Sequence, residues 1–184
     1  PRRRALRRAA GRQMPQHAVG QILHGTALLW CQRRLIAPQN REFSVQAVPG
    51  EHLRNSCRSQ MAHGFLQSSD KRITVCSAGT EPAKQINPRA VIVMKEAGID
   101  INHHTPKLVD GYLQDEWDFV ITVCDHANET CPLFMGKVKH RLHIGFEDPS
   151  NATGSEEFIM SEFRRVRDEI RTEFEKFYRT SIKK

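Results

Sequence analysis

At 184 residues, 39% hydrophobic and 27% charged, the chain can bury one core and has neither a disordered nor a membrane-spanning composition. Its most apolar stretch, residues 22–30, is short and broken by His24 and Gly25, so no bilayer span and no membrane partner are expected. The net charge of +7 is concentrated in residues 1–42, which hold nine arginines against one acid, Glu42; the remainder is nearly neutral, so a uniform nucleic-acid-binding surface is not expected.

Residues 1–42 contain no Ser and no Lys. Transit peptides share the arginines but are Ser-rich, and a basic nucleic-acid arm is a weaker alternative. The expectation is an irregular extension, either without a role or read out of frame from GC-rich DNA. A single domain then occupies residues 43–184. Five scattered cysteines, at 31, 57, 76, 124 and 131, do not form a secreted disulfide framework. Free thiols in a reducing, cytoplasmic compartment fit better.

From about residue 55 helix and strand signals alternate. Met61, Phe65 and Leu66 lie at helical spacing within residues 57–66. Residues 73–76 form a β-branched run closed by Ser77-Ala78-Gly79. Pro88 opens a helix that Gly98 stops. Residues 118–123 read as a strand buried on both faces of a parallel sheet, and residues 138–144 as a weaker strand. Thr153 and Glu156 have capping-box spacing. The helix after them carries one apolar stripe: Ile159, Phe163, Val166, Ile170, Phe174 and Phe177. This alternation predicts an α/β fold with a parallel sheet.

Three clusters carry chemistry. Asn55-Ser56-Cys57-Arg58-Ser59 opens the first helix. Backbone N–H groups there favour an anion, and the Arg58 fork matches a tetrahedral oxyanion; an ordinary helix cap with an exposed arginine reads equally well. Cys124 and Cys131 follow the strongest strand, where open α/β sheets place their sites. Their spacing is not that of a C-x-x-C pair, and two buried thiols are the plainer reading. A zinc site with His126 has the wrong ligand spacing, and no metal is expected. Gly145-Phe146-Glu147-Asp148-Pro149 follows the weaker strand. Asp148 there could serve as a general acid, or the segment is a turn.

Residues 55–62 (Asn-Ser-Cys-Arg-Ser-Gln-Met-Ala), 77–80 (Ser-Ala-Gly-Thr), Asn87-Pro88, 121–125, Cys131-Pro132, 145–149 and 163–170 occur in an order and spacing that resemble the thioredoxin-coupled arsenate reductases. These share the low-molecular-weight protein tyrosine phosphatase fold. The resemblance covers roughly residues 55–180. It implies a three-layer fold with a central four-stranded parallel sheet, the first strand and anion loop being atypical here. It implies arsenate as substrate, held by the loop of residues 55–59 and Arg58, with Asp148 protonating the departing hydroxide. It implies that a thiol matching Cys124 attacks a cysteine–arsenic adduct, that Cys131 then attacks Cys124, and that thioredoxin reduces the resulting disulfide as external reductant, with no bound cofactor.

The chain departs from that pattern upstream. The family loop begins with its nucleophilic cysteine, five residues separating it from the arginine; that position here is His52, followed by Leu53 and Arg54. Cys57 matches a loop cysteine that is not the nucleophile. A β-branched strand leads into the family loop, whereas residues 47–51 include Pro49. A shifted reading frame upstream of Asn55 is the economical expectation, and a first chemical step that is deficient. Positions where some members hold potassium match His63 and Lys107, so no potassium dependence is expected. The alternatives are a tyrosine phosphatase of the same fold, disfavoured by Ser150 after Pro149 and by the cysteine pair, and an oxyanion-binding protein without turnover.

Overall fold

The computed structural model describes the backbone of residues 42–46 and all of residues 55–124 and 137–183. In chain order these form β1 (Glu42–Gln46), α1 (Arg58–Ser69), β2 (Thr74–Ala78), α2 (Pro88–Glu96), β3 (Glu116–Thr122), β4 (Lys137–His143) and α3 (Glu156–Phe177), with short 3-10 turns at 109–112 and 149–151. The strands pair in the order β2-β1-β3-β4, all parallel. Val45 stands beside Ser77 on one side and Ile121 on the other, and Ile121 beside Leu142. This is the arrangement of helices about a parallel sheet that the resemblance implies. Among the described residues, no helix is long and apolar enough to cross a membrane.

The parallel register puts the carboxyl ends of all four strands at one edge. The order changes direction at β1, which makes that edge the place for a ligand crevice. β3 lies between β1 and β4 and buries Trp117, Val120 and Ile121, which explains its nearly continuous apolar run. β4 is an edge strand with almost every side chain exposed. Lys137 and Lys139 pair with Glu116 and Asp118 of β3, charges that blunt an open edge and weaken the strand signal.

α1 buries Met61, Ala62, Phe65 and Leu66. Gly64 permits its close packing, since a Cβ there would stand 2.8 Å from Ile101 Cγ2 and 3.0 Å from Met94 Cε. α3 buries Phe163, Val166, Ile170, Phe174 and Phe177, with Ile159 half-buried. Phe177 meets Phe119 of β3 edge-on at 5.3 Å, and Phe174 stacks at 6.4 Å on Phe146.

Two expectations are corrected. The cap of α3 is Ser155, whose hydroxyl accepts from Phe158 N; Thr153 lies too far ahead of the first turn to reach its amides. Glu156 binds Arg89 of α2 at 2.6–2.8 Å instead of closing a capping box. The first strand ends at Gln46, three residues before Pro49, and its first residue, Glu42, belongs to the segment expected to be irregular. Residues 1–41 and 47–54 lie outside the described residues.

Candidate active site

The site forms where α1 starts, against the turn that follows β4. Arg58, the first residue of α1, is 3% exposed. Its Nη1 donates to Phe146 O at 2.6 Å and its Nη2 to Asp148 Oδ2 at 2.8 Å. The Asp148 side chain is 6% exposed, so both charges are out of water and each depends on the other. Asp148 also caps the following 3-10 turn, its Oδ1 accepting from Ser150 N at 2.9 Å. Two sequence-expected residues, 90 positions apart, are thus one buried ion pair.

Asn55 precedes them with φ +46°, a left-handed conformation that Asn tolerates better than most residues. A buried network holds it there. Gln60 Nε2 donates to both Asn55 O and Asn55 Oδ1 at 2.9 Å. Asn55 Oδ1 also accepts from Lys107 N at 3.1 Å, and Asn55 Nδ2 donates to Ser59 Oγ at 3.1 Å. Because the Gln60 amide faces two acceptors, its Oε1 is fixed toward His104 Nδ1, 3.1 Å away. His104 therefore carries its proton on Nδ1. His104 stacks on His63, ring centroids 4.2 Å apart, and His63 Nδ1 meets Ser77 Oγ at 3.2 Å. Burial, with His104, Lys107 and His103 nearby, holds the His63 pKa down at about 3. Burial, with His103 and Lys107, holds His104 at about 4.

Cys57 is 6% exposed. Burial and the Asp148 carboxylate push its thiol up to about 12, against the opposing pull of Arg58 and a Ser150 hydrogen bond. At neutral pH it is a protonated thiol, unsuited to nucleophilic attack.

Cys124 is buried two residues past β3. Gly145, two residues past β4, lies against it: a Cβ there would stand 2.7 Å from Cys124 O and 2.8 Å from His143 Nε2. His143 is held by Thr122, its Nδ1 2.7 Å from Thr122 Oγ1. Gly145→Ala is expected to separate the two strand ends and destabilise the fold by about 1–3 kcal/mol, read as a lower urea midpoint. An unchanged midpoint would show that this packing gives way freely. Cys131, His52, Leu53, Arg54 and His126 lie outside the described residues.

The structure therefore brings Asn55, Ser56, Cys57, Arg58, Ser59, Cys124 and Asp148 to one sheet edge. Sequence reading missed Gln60 and His104. Gln60 sits beside Met61 on the buried face of α1, and a polar residue on an apolar face is the signal that could have marked it. Its partner is 44 positions away, which no local pattern discloses.

The family model described as low molecular weight phosphotyrosine protein phosphatase matches residues 52–184. The chain belongs to that family. Among its curated relatives, the arsenate reductases of Halalkalibacterium halodurans and Bacillus subtilis are each 45% identical over 127 residues, 68% of this chain and 90% of theirs. A solved arsenate reductase in the phosphate-binding state superposes with a TM-score of 0.60 at 29% identity, covering 76% of this chain and 96% of that one.

Proposed function

We propose that this member of the family is an arsenate reductase of the thioredoxin-coupled type, working in the cytoplasm, with helices on both faces of its four-stranded sheet. The single observation that carries the reading is the buried Arg58–Asp148 pair at the start of α1, in a chain whose relatives are named arsenate reductases. Arsenate, like phosphate, is a tetrahedral oxyanion. The amides at the start of α1 and the Arg58 fork offer it donors and positive charge. Asp148 stands where it can give a proton to a departing oxygen. Asn55 and its network fix the backbone turn from which Ser56, Cys57 and Ser59 offer their amides.

Reduction of arsenic(V) to arsenic(III) takes two electrons. Cys124 and Cys131 supply them: two thiols become one disulfide, one arsenate oxygen leaves as water, and arsenite is released. A thioredoxin dithiol then reduces the disulfide by exchange. The first step is the weak one. His52 occupies the position of the attacking thiolate in the family pattern, and Cys57, with its raised pKa, does not replace it. These two facts favour the second reading, oxyanion binding without turnover.

Arsenite formation with thioredoxin, thioredoxin reductase and NADPH tests both. Slow turnover by the unmodified chain, a partial gain in His52→Cys, and loss in Cys124→Ser and Cys131→Ser are expected, the losses reaching orders of magnitude because relay thiols act as a unit. Brisk turnover that survives both serine variants would sink the relay. No turnover even in His52→Cys, with arsenate still bound, would establish the second reading.

A further inference from the structure

We propose that Asn87 and Ser150 are positioning residues, a clasp that holds the Asp148 turn against the Ser56–Cys57 backbone so that the acid and Arg58 face a bound oxyanion together. The inference rests on the oxyanion-site reading given above. Asn87 performs three tasks at once. Its side-chain oxygen caps α2, accepting from Arg89 N at 2.9 Å. Its backbone N–H donates to Ser56 O at 2.8 Å. Its Nδ2 donates to Ser150 Oγ at 3.3 Å.

Ser150 continues the circuit. Its backbone N–H is bound by Asp148 Oδ1, and its hydroxyl bonds the Cys57 thiol. Asp148 Oδ2 in turn receives Arg58, the residue after Cys57. The bonds close a ring through three segments: the anion turn at 56–58, the start of α2 at 87, and the acid turn at 148–150. The acid turn is a three-residue 3-10 segment whose Ser150 and Asn151 are exposed, so its placement depends on ties of this kind. A helix cap alone needs only an acceptor, and Ser, Thr or Asp would serve. Asp could cap without donating, and a Ser or Thr hydroxyl is too short to cap and reach Ser150 together; the Asn87 amide does both through Oδ1 and Nδ2.

Asn87→Ser separates the two duties. It keeps a cap and the backbone bond to Ser56, adds no charge, and is too short to reach Ser150. Ser150→Ala removes the other half of the clasp. Hydrogen exchange without any oxyanion reads the turn directly through the amides of Asn151 and Ala152, which bond Asp148 O and Pro149 O. Each single variant is expected to speed their exchange about three- to tenfold, the worth of one modest hydrogen bond, with α2 amides and melting temperature unchanged. The double variant should be no faster than Ser150→Ala alone, which already lacks the clasp. Calorimetric titration with inorganic arsenate should show a similar loss of affinity in each single variant, with none added in the double. Unchanged exchange in the single variants, or effects that multiply in the double, would overturn the clasp. Faster exchange as expected, in a wild-type chain that takes up no arsenate, would leave the clasp standing and remove the arsenate reading.

Discussion

Arg58→Ala is expected to abolish arsenate binding and to destabilise the fold by about 3–5 kcal/mol, the usual result of removing one partner from a buried ion pair. The Asp148 carboxylate would stay buried with its charge uncompensated, and Phe146 O would lose a donor at 2.6 Å. Arg58→Lys restores the charge but not the fork that spans Phe146 O and Asp148 Oδ2, so part of the stability should return and little of the oxyanion affinity. Asp148→Asn keeps one acceptor oxygen, for Ser150 N or for Arg58 but not both, and leaves Phe146 O its Arg58 donor; it should be milder in stability than Arg58→Ala while losing the proton donor. Urea denaturation and arsenate calorimetry on the three variants check the order. If Arg58→Ala binds arsenate like the wild type, the oxyanion site lies elsewhere.

Mild acid is expected to weaken the protein through His63 and His104. Both are held below the usual histidine value of 6.5, at about 3 and about 4, so the folded state resists protons that the unfolded chain accepts. Their contribution is complete above pH 6.5 and is lost as pH falls from there toward 4. Each group that stays neutral forfeits up to about 1.4 kcal/mol per pH unit in that window. With His104 half-exposed and partly screened, a joint loss of about 2–3 kcal/mol by pH 5 is expected. His63→Gln should flatten this slope between pH 6.5 and 5 by removing the more strongly shifted group. A wild-type stability that stays level across that range would mean the stacked rings admit protons freely.

The two histidines also mark what the sequence could and could not convey. α1 and α3 were legible because Met61, Phe65 and Leu66, and the six-residue stripe ending at Phe177, repeat at the helical period and are buried on one side. β3 is legible because Trp117, Val120, Ile121 and Val123 are buried and make a nearly continuous apolar run. β1 is not legible, because the five residues Glu42–Gln46 carry no such run. Sequence cannot choose between Thr153 and Ser155 as the α3 cap, because both offer a hydroxyl and only the backbone path decides which one reaches an amide. At the site, Arg58, Cys124 and Asp148 were named from motifs. The ion pair between Arg58 and Asp148, the Gln60–His104 contact and the Asn87–Ser150 bridge join residues 44 to 90 positions apart, and such pairings exist only once the sheet has assembled.

The placement of β1 at the centre of the sheet bears on how the protein is made. On the ribosome this strand emerges before the other described strands, yet one of its two neighbours, β3, is about 75 residues downstream. α3, which packs on both α1 and α2 and reaches β3 through Phe177, is synthesised after every strand. A nascent chain therefore carries Met61, Phe65 and Leu66 without their cover through most of translation, and non-local pairing of this kind is slow and exposed to aggregation. Messages cut short within the α3 coding region should yield products that chaperones hold and proteases remove, even though every residue proposed to handle arsenate has already been translated.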